Sequence, residues 1–291
     1  MTFVTTALGI IGREAVKILA SRNLPVRAYV PNDHGREELE EWMAEEQVPT
    51  STVEITTDFD MRGVESLLLI QAAVHGELRK IPEILEAAKD VERVVFLSMM
   101  GASTRSPAKL LRQLGEYERM VEATGIPWVH LRQPPFLLMQ NVRVHAAMVQ
   151  QTGRLPLPLG DLEVPLIDAR DLARAAVRVA RPGHAGRIYD LTGPESLTGV
   201  EIAERLAKAI GYPVTYLPLS GDAAREGLRK LHVPAWLIED ALQVVESTAG
   251  APTGELETLI DGPRDFDAFA ADYAWAFERG EDEGQLSGWI R

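Results

Sequence analysis

The sequence predicts an α/β protein built on a doubly wound, parallel sheet with a smaller C-terminal lobe. Three observations predict it. Short Val- and Ile-rich runs alternate with helix-period segments through the first half of the chain, the pattern of successive βαβ units. A strand at the very start passes directly into a glycine-bearing helix start. Beyond Asn141 the composition changes and proline–glycine punctuation sets in, which marks a second region.

The elements follow in order. Residues 2–5 (TFVT) predict the first strand, 9–20 the first helix and 24–30 (LPVRAYV) the second strand. HGREELEEWMAEEQ predicts an exposed helix, its charges spaced for solvent. Strands are expected at 52–57, 64–70, 92–98 and 128–132, with helices at 75–89 and 110–123 between them. GRLPLPLG, 153–160, reads as a connection, followed by a strand at 164–168, a helix at 169–180 and a strand at 186–193. Thr198 and Glu201 have the spacing of a capping box. A strand at 214–219, helices near 221–231 and 234–247, and a terminal helix at 265–277 complete the chain. The aromatic stripe of that last helix is expected to pack in a core. The expected division is a sheet region over 1–141, to which strands within 164–193 return, and a mainly helical lobe of 142–163 and 194–291.

Composition excludes several classes. The formal net charge is −13, from 43 acidic against 30 basic residues, and no local basic patch stands out. Such a surface repels phosphate backbones, so no nucleic-acid partner is expected. The chain has no cysteine, which removes disulfides, thiolate metal sites and cysteine nucleophiles. Its six histidines are scattered without metal-ligand spacing, so no metal is expected. No targeting segment and no run of membrane-spanning length is visible. The expectation is a cytoplasmic monomer or homodimer with no membrane partner.

The most informative stretch is TTALGIIG, residues 5–12, which stands where a nucleotide-binding fold carries T-G-x-x-G-x-x-G. Those glycines serve a tight turn, close approach of backbone to pyrophosphate, and close helix–strand packing. Gly9 and Gly12 are present, and Thr6 occupies the first glycine position.

With this opening, RVVFLSMMGAS, LLRQLGEYERMVEATGIPWVHLRQPPFLLMQN, GRLPLPLGDLEVPLIDARDLARAAVRV and GRIYDLTGPESLTGVEIAERLAKAIG follow in order. The chain therefore resembles the NmrA-like atypical short-chain dehydrogenases over nearly its whole length. The resemblance implies a Rossmann-type sheet with a C-terminal substrate-binding lobe. In that family it also implies NADPH binding and, in many members, reduction of quinones or related molecules. By the same resemblance Thr6, Gly9, Ile11, Gly12, Asn32, Asp58 and Phe59 are the positions that would face a cofactor.

Several positions depart from the family pattern. Thr6 brings a Cβ to the pyrophosphate turn. Pro31 stands where an arginine would hold the 2′-phosphate and offers neither donor nor charge. Arg27, one strand-face away, reads as a solvated charge. The helix that relatives carry between the third and fourth strands is missing from TDFDMRGVESLLLI. The serine, tyrosine and lysine positions of short-chain dehydrogenases align with Met99, Leu110 and Leu114, all apolar. With Gln71, Phe136 and Met139 these would line a substrate pocket. The remaining polar candidates for catalysis are Tyr117, Gln133, Asn141 and His145, and Glu118 reads as structural.

These departures remove charge from the crevice and supply apolar side chains. They lead to the expectation of no cofactor or weak NAD(P)H binding. The expected activity is a non-redox step, such as cyclisation, isomerisation or elimination, on an apolar natural-product-like substrate. The alternatives are an NAD(P)H-dependent quinone or enone oxidoreductase and a non-catalytic ligand or nucleotide sensor.

Overall fold

The structure is a computed structural model that describes residues 1–70, 77–134, 139–230, 235, 238–240, 242–243 and 255–278. In chain order the strands are β1 (Thr2–Val4), β2 (Val26–Tyr29), β3 (Val53–Thr56), β4 (Ser66–Leu69), β5 (Arg93–Met99) and β6 (Trp128–Gln133). Then come β7 (Arg154–Leu157), β8 (Val164–Pro165), β9 (Arg187–Asp190), β10 (Ser196–Leu197) and β11 (Thr215–Pro218). The helices begin with α1 (Ile10–Ser21), α2 (Asp33–Glu45), α3 (Ile81–Ala87), α4 (Lys109–Ala123) and α5 (Ala146–Thr152). They continue with α6 (Ala169–Val179), α7 (Gly199–Ile210), α8 (Gly221–Lys230), α9 (Leu256–Leu259) and α10 (Phe266–Asp272). The chain divides into two compact units. The first holds Met1–Gln133, Ala169–Leu191 and Glu255–Asp261; the second holds Pro134–Asp168, Thr192–Gly254 and Gly262–Arg291.

In the first unit seven parallel strands form one sheet in the order β3-β2-β1-β4-β5-β6-β9. Strands covered on both faces need apolar side chains throughout, and β4 (SLLL) and the centre of β5 (VVFL) supply them fully buried. Helix α1 buries Ile11, Ala15, Val16, Leu19 and Ala20 along one stripe. It packs against α6, whose buried Ala169, Ala173 and Ala176 allow close approach. Because β1 connects to β2 on one side and pairs with β4 on the other, the strand order reverses between β1 and β4. Crevices at such switch points, outside the carboxyl ends of the strands, are where open α/β sheets bind ligands.

The link from β3 to β4 contains no helix, as the sequence suggests. Arg27 holds it, and this corrects the expectation that Arg27 is solvated. The residue is buried, donates to the carbonyls of Asp60 and Arg62 at 2.6 and 3.0 Å, and pairs with Glu54 at 2.9 Å. Burial of a charge demands such partners.

The second unit contains a parallel pair, β7 with β11, and an antiparallel pair, β8 with β10. Strand β7 lies inside the segment expected to be a connection. Pro156 hid it, because proline is tolerated where a strand has neighbours on one side only. Strand β8 does not return to the large sheet; β9 does. The aromatic stripe behaves as expected, with Phe266, Phe269 and Phe277 buried in a core shared with Ile202 and Leu206. The capping box forms: Glu201 N–H donates to Thr198 Oγ1 at 3.2 Å and Thr198 N–H to the Glu201 carboxylate at 2.8 Å. Most of the helix expected at 234–247 lies outside the described residues. Among the described residues no helix is long and apolar enough to cross a membrane.

Candidate cofactor site and catalytic positions

The β1–α1 turn is built by three residues. Thr5 Oγ1 donates to the Ile70 carbonyl at 2.5 Å and accepts from Ile70 N–H at 2.9 Å, and the Thr6 hydroxyl donates to the same carbonyl. The turn is thus tied to the end of β4 across the switch point. Gly12 makes the close packing: a Cβ there would lie 1.8 Å from the Thr6 carbonyl oxygen. Helix α1 then starts at Gly9, with no side-chain cap and no acidic residue in its first turn. Its first amide N–H groups lack intrahelical partners, and the helix dipole places partial positive charge there. Such a start suits a pyrophosphate.

The backbone at Thr6 has a negative φ, so the turn does not require glycine at that position. Thr6 therefore replaces the first glycine without breaking the turn. Of the paired isoleucines, Ile11 is 8% exposed and faces the core, whereas Ile10 is 37% exposed at the helix start. Ile10, which motif matching passes over, is the side chain available to a ligand, and Ile11 offers only its amide.

Beyond β2, Asn32 is committed elsewhere: its side-chain oxygen accepts from Gly35 N–H at 2.9 Å and caps α2. Asp58 is exposed after β3, with its N–H on Thr56 Oγ1 at 3.1 Å. Phe59 is half-buried and tilts against Tyr29, ring centroids 4.6 Å apart. These two residues border the carboxyl ends of β2 and β3 on the side where an adenosine would extend from α1.

The positions aligned with the dehydrogenase triad behave as core. Leu110 and Leu114 are 0% and 3% exposed on α4, which packs on β5 and β6. This corrects their assignment to a substrate pocket. Tyr117, at 9%, is buried on the same helix with its phenol oxygen 3.3 Å from Gln113 Nε2, which does not suit a proton donor to substrate. Glu118 grips Arg132 with two bonds of 2.9 and 2.6 Å, a structural pair that also fixes Arg132 on the Ala102 carbonyl. The Glu118 contact raises the Arg132 pKa above its ordinary value. Met99 ends β5 half-exposed. Two polar atoms at the carboxyl ends of β5 and β6 are buried without a partner: Ser98 Oγ and Gln133 Oε1. Gln133 thus remains a candidate. Ser98, one position before Met99, was not singled out, although a serine closing a central strand was visible in FLSMM. Unpaired buried polar atoms at a strand end are where a bound molecule can supply the missing hydrogen bond.

Five candidates belong to the second unit or fall outside the described residues. Met139 is fully buried in that unit's core, its N–H on the Ile167 carbonyl at 2.9 Å, so it packs and does not line a pocket. Asn141 is exposed. His145 is half-buried, and burial pushes its imidazole below the ordinary value. Gln71 and Phe136 lie outside the described residues. Among the described residues no group of three or more His, Asp or Glu could hold a metal.

The fold is of the Rossmann type, with an uncapped α1 at the switch point of its sheet. Residues 2–260 match the model of the NmrA-like family, and the chain belongs to that family. It is 31% identical over 288 residues to an NAD(P)H azoreductase from Xenophilus azovorans, covering 95% of this chain and 99% of the relative. It is 30% identical to quinone oxidoreductase 2 of Escherichia coli, over 67% of this chain and 68% of that protein. A crystal structure of an NADPH-dependent quinone oxidoreductase from Escherichia coli, complexed with NADPH, superposes with a TM-score of 0.76. There the identity is 26%, covering 94% of this chain and all of that one. These findings overturn the expectation of absent or weak nicotinamide binding. The physical reason is that the turn holds its shape through backbone geometry and Gly12, which the change at Thr6 leaves intact.

Proposed function

We propose that this protein is an NAD(P)H-dependent oxidoreductase that reduces electron-poor conjugated acceptors, of the quinone or azo type. The observation that carries the reading is the bare amino terminus of α1, seated on Thr6 by Gly12 at the switch point of a parallel sheet. The azoreductase and quinone oxidoreductase relatives support it. The expected non-redox step gains no support from either source and gives way to its alternative.

When bound, the nicotinamide supplies a hydride. The chain's own residues bind and orient. Amide groups of Ile10 to Gly12 would receive the pyrophosphate, since the Gly9 N–H is spent on the Thr6 carbonyl, while Thr5 and Thr6 fix the turn against Ile70 and Phe59 would border the adenine side. Gln133, partly exposed at the end of β6 with an unpartnered side-chain oxygen, could take up a hydrogen bond from a ligand. No tyrosine–lysine pair delivers a proton at Leu110 and Leu114. Quinones and azo groups tolerate that loss, because the anion left by hydride addition is stabilised by conjugation and takes its proton from water. Ketones and aldehydes, whose alkoxide needs a donor, are poor substrates on this reading.

The test is anaerobic oxidation of NADPH and NADH with a quinone series, an azo dye and a simple aldehyde. Acceleration by quinone or azo acceptors, with the aldehyde inert, is the expected outcome. Cofactor oxidation that no acceptor accelerates removes the proposal.

A further inference from the structure

Five arginines lie between residues 13 and 62; Arg22 sits at the far, carboxyl end of α1, and of the other four, three are neutralised. Arg13 pairs with Glu38 at 2.5 Å, Arg27 with Glu54 at 2.9 Å and Arg62 with Asp60 at 2.7 Å. Arg36 differs. Its Nη1 donates to the Ile55 carbonyl at 2.8 Å, and no carboxylate among the described residues lies within ion-pair distance of it. Yet α2 carries Asp33, Glu37, Glu38, Glu40 and Glu41, in a protein of net charge −13. The bond to Ile55 holds the guanidinium away from that acidic face and against the end of β3. Its remaining nitrogens are not buried, so they keep donors for an anion.

The place of Arg36 says which anion. It lies in the first turn of α2, its own N–H bonded to the Asn32 carbonyl at 3.1 Å, beside the carboxyl ends of β2 and β3. In dinucleotide folds this is where the ribose lies, and where an arginine accommodates a 2′-phosphate. Neighbouring positions cannot serve. Pro31 has no donor, and Gly35 is buried, a Cβ there coming 3.0 Å from Leu8 and 3.2 Å from Pro31. We infer that Arg36 reads the 2′-phosphate of NADPH in place of Pro31 and so sets this chain's preference between NADPH and NADH. The inference rests on the cofactor reading above. Asp33, in the same turn, repels a phosphate, so NADH also binds and discrimination is limited.

The experiment is calorimetric titration of the wild type, Arg36→Gln and Arg36→Lys with NADPH and NADH, at low and high salt. A guanidinium–phosphate contact corresponds to roughly 10- to 100-fold in affinity. Arg36→Gln is expected to lose about that factor toward NADPH, with NADH affinity changed less than about two-fold. Arg36→Lys keeps the charge without the fork and falls between. In the wild type, salt weakens NADPH more than NADH, and the glutamine variant loses that difference. Equal losses toward both cofactors, or no loss toward either, overturn the inference while leaving cofactor binding standing. Failure of the wild type to bind either cofactor takes down the cofactor reading and this inference with it. Should Arg36→Gln unfold, the lysine variant and the wild-type salt slopes decide.

Discussion

Helices α1 and α7 begin in opposite ways. At α7 the chain satisfies its own orphan amides, with Thr198 and Glu201 joined by three hydrogen bonds and a carboxylate in the first turn. At α1 the cap is Gly9, no side chain bonds the first amides, and the first turn carries no acid. The physical problem is the same, four N–H groups without partners. One helix solves it internally and the other leaves the solution to a ligand. A site made this way consists of backbone, so changes of side chain around it remove less than they suggest.

The strongest way to break the comparison is Gly12→Val. A Cβ at that position overlaps the Thr6 carbonyl, so the turn must move off α1. Cofactor affinity is expected to fall by about 100-fold or more, the loss of several charge-assisted bonds. Calorimetry with NADPH checks it, and circular dichroism shows whether the sheet survives. Near-wild-type affinity would mean that α1 does not hold the pyrophosphate. The complementary change at the other helix is Thr198→Ala. It is expected to lower unfolding stability by about 1 kcal/mol, up to about 2, with cofactor affinity untouched. Urea unfolding read beside the same titration separates the two helices.

How far the sequence exposes this molecule follows from what each part is made of. The parallel sheet was legible because buried strands such as β4 and β5 are written as continuous apolar runs, and α1 as a 3.6-period stripe. The capping box was legible because two side chains at fixed spacing make it. Strand β7 was not, since Pro156 masks a strand whose one neighbour is β11. The cofactor site was read through its side chains, and there the reading went astray. Thr6 looked like a loss, yet the turn's φ there never needed glycine. Arg27 looked solvated, because nothing in LPVRAYV shows that the carbonyls of Asp60 and Arg62 come back to meet it. Arg36 sat unnoticed in an acidic helix, since its bond to Ile55 spans 19 residues. Ser98 was missed by one position, and strand alternation places it on the opposite sheet face from Met99.

Thr6→Gly sharpens the comparison from the ligand side. It restores the family's first glycine and deletes a hydroxyl bonded to the Ile70 carbonyl. If the site is backbone, cofactor affinity should change less than about three-fold, well under 1 kcal/mol. Stability should fall by about 1 kcal/mol, from the lost hydrogen bond and the added freedom of glycine. A ten-fold gain in affinity would show that Thr6 does obstruct the pyrophosphate and that the turn is degraded after all.

The smallest expected effect concerns pH, and it separates a cap made of side chains from one made of backbone. Hydrogen bonds from the Thr198 backbone N–H and hydroxyl hold the Glu201 carboxyl below its ordinary 4.5. A carboxyl whose folded pKa is depressed binds fewer protons folded than unfolded, so its stabilisation is complete above about 4.5 and drains as pH falls toward the folded value. Glutamine at 201 keeps an acceptor oxygen but has no charge to lose. The difference in urea midpoint between wild type and Glu201→Gln should therefore hold steady from pH 7 to 5 and shrink below that. Because Glu201 is exposed, solvent screening keeps the difference small. A gap that stays constant through pH 3 would mean the carboxylate contributes nothing as a charge. The cap would then be a matter of geometry alone, and α7 would stand closer to α1 than its side chains suggest.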